Sequence, residues 1–181
     1  MNEYMYISNP YELMDFLDNN ITYGYIDINN HIHSNELKGV KDLYIVRSIE
    51  DTIKSGLGTC IEQGKIIADV LKRLGYTPYI YCSFSSELDD LVYENSIKLH
   101  SFIIGEKNNK YLYFEHSNPM LKGMYEFDSI DEALDMIQSK YEGTPSYTIY
   151  QTGDIPVGMS LNEVIEYIQS FDVLRTNKHL K

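Results

Sequence analysis

The feature that most constrains the fold of this chain is a run of apolar residues at helical spacing, which a glycine-rich segment precedes. Small and apolar side chains recur along one face of the predicted helix: Ile61, Gly64, Ile67, Ala68, Leu71 and Leu74. Thr59 or Cys60 opens this helix, and Gly75 ends it shortly after Lys72 and Arg73. The sequence therefore predicts a long amphipathic helix that carries a cysteine in its first turn and is approached through residues 56–58.

The remaining pattern predicts an α+β fold. Residues 98–105 and 110–115 each have the pattern of a strand, and the polar residues 106–109 lie between them. This arrangement is typical of a β-hairpin. Further strands are predicted over residues 21–28, 76–84 and 147–151, and shorter helices are predicted to begin near Asn9, Ser48, Ser129 and Ser160. Residues 29–39 are predicted to be a loop, and residues 87–94 are predicted to be a surface loop or a single helical turn. Because strands and helices do not alternate regularly, we expect an antiparallel sheet with one helix packed on it and flanking helices.

Length and composition limit the class of protein. A chain of 181 residues fits one domain, and we expect residues 1–181 to form it, with a core over about 10–170 and a frayed tail from about 175. The net charge of −12 disfavours nucleic acid and an acidic membrane surface as partners. No membrane span or secretory signal is expected, and two cysteines point to the reducing cytoplasm.

Cys60 is the first candidate for chemistry. The first turn of a helix has unpaired amides and the positive end of the helix dipole, which favour the reactive thiolate form of cysteine. A free cysteine at a helix start is also commonly a small, inert core residue. Cys60 by itself therefore leaves both interpretations open.

His100 and Glu115 lie on the two strands of the predicted hairpin. If residues 106–109 form a four-residue loop, His100 falls directly opposite Glu115 on the same face. A two-residue turn at 108–109 keeps them on one face as diagonal neighbours, whereas a three-residue loop separates them. With either even-numbered turn, Glu115 can orient the imidazole and His100 can accept the proton of Cys60, as in acyl-transfer enzymes. The alternative for each is an ordinary surface or core position.

This order of residues resembles the transglutaminase-like superfamily of bacterial type. Three segments carry the resemblance: Gly58-Thr59-Cys60-Ile61-Glu62-Gln63, Leu99-His100-Ser101-Phe102 and Tyr113-Phe114-Glu115. Residues 21–25 and 122–127, the latter followed by a helix, also resemble segments of such proteins. The resemblance implies a papain-like core and a Cys60–His100–Glu115 triad.

The chain departs from the habits of that superfamily in three ways. Ile61 follows the cysteine where an aromatic residue is common, Glu115 stands where aspartate is common, and the chain has no tryptophan. These departures motivate the alternative of a catalytically degenerate domain that binds a peptide or protein. A third hypothesis, an acidic mimic that blocks a nucleic-acid-binding partner, rests only on the net charge.

Several residues are candidates for the oxyanion hole or the cleft. The backbone amide of Cys60 is the natural donor, because it lies at a helix start. Tyr23 and Tyr25 are candidates for a side-chain donor where related enzymes use tryptophan or glutamine. Gln63 lies one turn after Cys60 and is a cleft candidate, with packing or solvent exposure as its alternatives.

No metal or cofactor is expected. His31 and His33 share a strand face, but neither a Cys-x-x-Cys nor a His-Glu-x-x-His motif accompanies them. Cys82 is most simply a sheet residue. The leading hypothesis is a cytoplasmic thiol enzyme that forms a thioester with a peptide or carboxamide substrate. Hydrolysis, as in a peptidase, amidase or deamidase, is favoured over cross-linking, and the chemistry needs no cofactor.

Overall fold

A computed structural model describes residues 3–34, 43–87 and 96–178. The helices in these residues are α1 Glu3–Tyr6, α2 Pro10–Asn20, α3 Ile49–Ser55, α4 Cys60–Arg73, α5 Ile130–Ser139 and α6 Leu161–Gln169. The strands are β1 Thr22–Ile26, β2 Ile32–Ser34, β3 Leu57–Gly58, β4 Thr77–Glu87, β5 Ser96–Lys107, β6 Lys110–Glu115, β7 Gly123–Phe127, β8 Ser146–Thr152 and β9 Val173–Lys178.

The larger sheet is antiparallel throughout and has the strand order β7-β6-β5-β4-β8-β9. Alternate residues of a strand point to opposite faces, and the core divides accordingly. Ile103 of β5 packs with α4 and α2, whereas its neighbours Phe102 and Ile104 pack with α5 on the other face. The prediction of an α+β fold is confirmed.

A smaller sheet, of order β2-β1-β3, brings the start of the chain to the entrance of α4. β1 runs parallel to β3, so that Tyr23 lies beside Gly58. On its other side β1 pairs with β2, and there a Cβ on Gly24 would meet the His33 carbonyl oxygen at 2.5 Å. Only glycine therefore allows this close pairing.

Most helix starts follow their sequence signals. The side chains of Asn9, Ser48, Ser129 and Ser160 each accept a hydrogen bond from an amide in the first turn, and these four N-caps are confirmed. The prediction of a loop over 29–39 is wrong at residues 32–34, which form β2. Three residues are too few to produce an alternating pattern. The loop predicted over 87–94 lies, except for Glu87 at the end of β4, outside the described residues.

The C-terminal tail differs from the expectation of fraying from about residue 175. β9 pairs with β8 as far as Lys178, and the guanidinium of Arg175 forms ion pairs with Asp131 and Asp135 of α5. An edge strand needs a partner on only one side and few apolar residues, so its sequence pattern is weak. The described part of the chain contains no helix that is both long enough and apolar enough to cross a membrane.

The turn between β5 and β6 sets the register of the hairpin. Lys107 pairs with Lys110 across a two-residue turn, in which Asn108 and Asn109 have φ values of 55° and 58°. The four-residue loop is therefore wrong, and the two-residue alternative is confirmed. Positive φ at both turn positions matches the twist of the strands, and asparagine tolerates it. The register makes His100 and Glu115 diagonal neighbours rather than directly opposed.

Replacement of Asn109 tests this turn. Asn109→Ala is expected to lower the free energy of unfolding by about 1 kcal/mol, because alanine is disfavoured in the left-handed region. Asn109→Gly should leave stability equal to or above that of the wild type. Urea unfolding at neutral pH measures both. If Asn109→Ala were more stable than Asn109→Gly, the turn would be of another type.

Candidate active site

The start of α4 is held by a capping box. The side chain of Thr59 accepts a hydrogen bond from the Ile61 amide at 3.3 Å, and the Thr59 amide donates to Glu62 Oε2 at 2.9 Å. Thr59 is thus the N-cap, and Cys60 is the first helical residue. The Thr-x-x-Glu spacing of residues 59–62 is itself a sequence signal for this cap.

The carboxylate of Glu62 is buried, and both of its oxygens have donors. Tyr44 donates its hydroxyl to Oε1 at 2.6 Å, and the Arg47 amide donates to the same oxygen at 3.2 Å. Oε2 accepts from the amide and hydroxyl of Thr59. Glu62 therefore ties the segment around Tyr44 to the first turn of α4. Sequence reasoning missed Tyr44, because no local pattern links it to residue 62.

His100 and Glu115 form the central polar pair of the site. The His100 Nε2 atom lies 2.6 Å from Glu115 Oε2, and the Glu115 side chain is 2% exposed. Three further donors surround this carboxylate: the Tyr113 hydroxyl at 3.0 Å, the Ser117 hydroxyl at 3.1 Å and the Asn118 amide at 2.9 Å. A buried carboxylate with this many donors is held in one orientation, and so is the imidazole bound to it.

In this pair, the charge of each residue stabilises the charged form of the other. Burial alone would lower the pKa of His100, but the charge of Glu115 and contact with the Cys60 thiol raise that pKa to about 10. Burial would likewise raise the pKa of Glu115, yet the imidazolium and the surrounding donors bring it below its usual value. An imidazolium–carboxylate pair is therefore the dominant form at neutral pH.

The thiol of Cys60 is close enough to His100 and Tyr23 to raise the pKa of both side chains. Cys60 itself is 5% exposed. Burial and the negative charges of Cys60, Glu62 and Glu115 raise the pKa of Tyr23 far above its usual value. The Tyr23 hydroxyl therefore remains a neutral donor beside the sulfur.

The other two cleft candidates are occupied elsewhere. Tyr25 is buried, stacks on His33 with ring centroids 4.7 Å apart, and meets the edge of Tyr44 at 5.5 Å. The Gln63 amide donates to the Gly58 carbonyl at 2.8 Å, and its oxygen lies 2.7 Å from His116 Nδ1. Gln63 is buried, not solvent-facing, and its side-chain donor is directed away from the thiol.

His33 of β2 and His31, just before β2, both lie beside the carboxylate of Asp27. His33 Nε2 lies 3.0 Å and His31 Nδ1 3.4 Å from Asp27 Oδ2. Across residues 3–34, 43–87 and 96–178, no group of three or more histidine, cysteine, aspartate or glutamate residues is arranged to hold a metal ion. Cys82 is fully buried in the sheet, where burial raises its pKa to about 12. It is the sheet residue that the sequence suggested.

Comparison with known proteins assigns no family to this chain. No protein-family profile matches the sequence. No curated protein matches it significantly.

Removal of the Glu115 charge tests the pair through pH-dependent stability. The raised pKa of His100 contributes stability that is fully present below its unfolded value of about 6.5 and is lost as the pH rises through about 10. Glu115→Gln is therefore expected to lower the free energy of unfolding by about 3 kcal/mol near pH 6, and by less as the pH approaches 10. Chemical denaturation across this pH range measures the difference.

Glu106→Gln is the matched control, because Glu106 lies on β5 and accepts only the Tyr79 hydroxyl at 2.9 Å among the contacts described. Its stability difference from the wild type should be small and should not vary with pH in this way. Equal pH dependence of the two glutamine variants would show that His100 and Glu115 are not an ion pair.

Proposed function

We propose that this protein is a cysteine-dependent acyl-transfer enzyme that works through a thioester, with a papain-like core of the transglutaminase-like type. The observation that carries the proposal is the 2.6 Å contact between His100 and the buried Glu115, together with the influence of Cys60, at the start of α4, on the pKa of that imidazole. Nucleophile, base and orienting acid are the three parts that this chemistry requires. Their positions on a helix start and two adjacent strands agree with the resemblance described above.

In the proposed reaction Cys60 is the nucleophile and His100 carries its proton. Because Nε2 of His100 faces Glu115, Nδ1 is the nitrogen left to exchange a proton with the sulfur. The sulfur forms a bond to the substrate carbonyl carbon, the carbon–nitrogen bond breaks, and His100 delivers the proton to the departing amine. Water then attacks the thioester, gives a proton to His100 and releases the carboxylic acid, which restores the thiol.

Two donors are available for the oxyanion that forms on the carbonyl oxygen. The Cys60 amide occupies the first helical position, where an N–H group has no partner within the helix. The Tyr23 hydroxyl lies against the same sulfur and stays protonated. Donors fixed in this way stabilise negative charge as it develops in the transition state.

The proposed substrate is a peptide or carboxamide, and the proposed outcome is hydrolysis. The net charge of −12 disfavours a nucleic-acid substrate. Transfer to an amine instead of water would make the protein a cross-linking enzyme. Product analysis with added hydroxylamine distinguishes the two, because an amine acceptor yields a hydroxamate and water yields an acid.

The first test is the rate of iodoacetamide alkylation as a function of pH, followed separately at both cysteines by peptide mass spectrometry. We expect fast alkylation of Cys60 below pH 7, because the imidazolium stabilises the thiolate, and none at Cys82, which is buried. His100→Ala should abolish the fast reaction. His31→Ala is the matched control and should leave it unchanged, because His31 is 72% exposed and contacts Asp27.

The opposite outcome has a definite meaning. If Cys60 reacts like an ordinary thiol, with a pKa of about 8.5, the acyl-transfer proposal fails. The degenerate, peptide-binding domain then becomes the better hypothesis. Peptide binding that is unaffected by Cys60→Ser would support it.

A further inference from the structure

His116 follows Glu115 at the end of β6 and points the other way. Glu115, the last residue of β6, contacts His100, whereas His116 contacts the helices α2 and α4. Its Nδ1 atom lies 2.7 Å from Gln63 Oε1 of α4, and its Nε2 atom lies 3.0 Å from Asp18 Oδ1 of α2. The His116 side chain is 8% exposed. Glu115 and His116 are thus neighbours in sequence that contact different parts of the site.

The orientation of the Gln63 amide is determined by Gly58. The Gly58 carbonyl only accepts hydrogen bonds, so the atom that lies 2.8 Å from it must be the Gln63 nitrogen. The amide oxygen then faces His116, and Nδ1 of the imidazole must be the donor. The hydrogen-bond chain therefore runs in one direction, from His116 through Gln63 to the Gly58 carbonyl.

The ring keeps this role in either charge state. Burial and Lys122 lower the pKa of His116, while Asp18 and Glu115 act in the opposite direction. Gln63 requires a proton on Nδ1, so the uncharged ring carries its single proton there. Protonation of Nε2 at lower pH adds a bond to Asp18, which also pairs with Lys122, and leaves the Nδ1 bond in place.

Gly58 links this hydrogen-bond chain to the segment that carries Cys60. It precedes the N-cap Thr59 and is paired with Tyr23 between β3 and β1. It is also tightly enclosed, because a Cβ at this position would meet Thr52 Cγ2 at 2.9 Å. A rotation of the Gly58 peptide would therefore shift the Cys60 sulfur relative to both Tyr23 and His100.

We propose that His116 is a positioning residue, which acts through Gln63 on the Gly58 carbonyl and so couples the segment that carries Glu115 to the loop that presents Cys60. This inference rests on the proposed function for its consequence in catalysis. The hydrogen-bond chain itself can be tested without a substrate.

The test uses two variants that each keep one half of the imidazole. In His116→Asn the side-chain amide nitrogen replaces Nδ1, so the bond to Gln63 is kept and the contact with Asp18 is lost. In His116→Gln the amide reaches the position of Nε2, so the contact with Asp18 is kept and the bond to Gln63 is lost. The same pair of substitutions at the exposed His31 is the control.

We expect His116→Asn to retain the alkylation profile of wild-type Cys60. His116→Gln should alkylate about tenfold more slowly at pH 6.5 and shift the profile to higher pH, because the sulfur and the imidazole are less well aligned. Gln63→Leu should match His116→Gln, and the double variant should add nothing further. Thermal unfolding verifies that each variant is folded. If Gln63→Leu does not fold, the two His116 variants decide the question.

Hydrogen exchange over residues 56–60, followed by mass spectrometry, is the second readout. Exchange should be faster than in the wild type for His116→Gln and unchanged for His116→Asn. Equal alkylation and exchange in these two variants would overturn the inference. If wild-type Cys60 proves to be an ordinary thiol, the proposed function fails, while hydrogen exchange still decides whether His116 positions the loop.

Discussion

The interaction on which the site depends most is the burial of two carboxylates that are fully supplied with donors. Glu62 has four contacts at the start of α4, and Glu115 has four at the end of β6. A buried carboxylate without such partners would be strongly destabilising, so each group requires its neighbours to occupy one arrangement. Glu62 sets where Cys60 begins the helix, and Glu115 sets where His100 points.

The remaining architecture brings these two anchors together. α4 packs on β5, where Gly64 faces the side chains of Ser101 and Ile103. The small sheet adds Tyr23 from one side through the pairing of β1 with β3. His116 and Gln63 join the anchors on the side opposite to His100. The thiol thus lies where four separate segments of the chain converge.

Electrostatics distinguishes the two cysteines more clearly than burial does. Both are buried and both belong to one apolar cluster. The Cys82 thiol lies 3.8 Å from the Thr152 hydroxyl, and burial raises its pKa to about 12. Cys60 instead shares its surroundings with an imidazolium, a neutral tyrosine and the end of a helix dipole. The contrast explains why only one of the two is proposed as a nucleophile.

The sequence by itself determined the local structure and the composition of the proposed site. The periodicity of residues 61–74, the cap residues and the Asn-Asn turn predict most of the helices and the β5–β6 hairpin, because these features depend on neighbours along the chain. The same reasoning selected Cys60, His100 and Glu115, and favoured hairpin registers that keep the last two on one face. It did not predict β2 or β9, since a short strand and an edge strand leave weak patterns.

Only the tertiary structure decided which distant groups meet. It chose the diagonal register of His100 and Glu115, brought Tyr23 rather than the Gln63 amide to the sulfur, and turned Gln63 towards Gly58 and His116. It also joined Tyr44 to Glu62 across 18 positions of sequence. Such contacts depend on how helices and sheets pack and on which buried polar atoms need partners, and neither is encoded in any single stretch of residues.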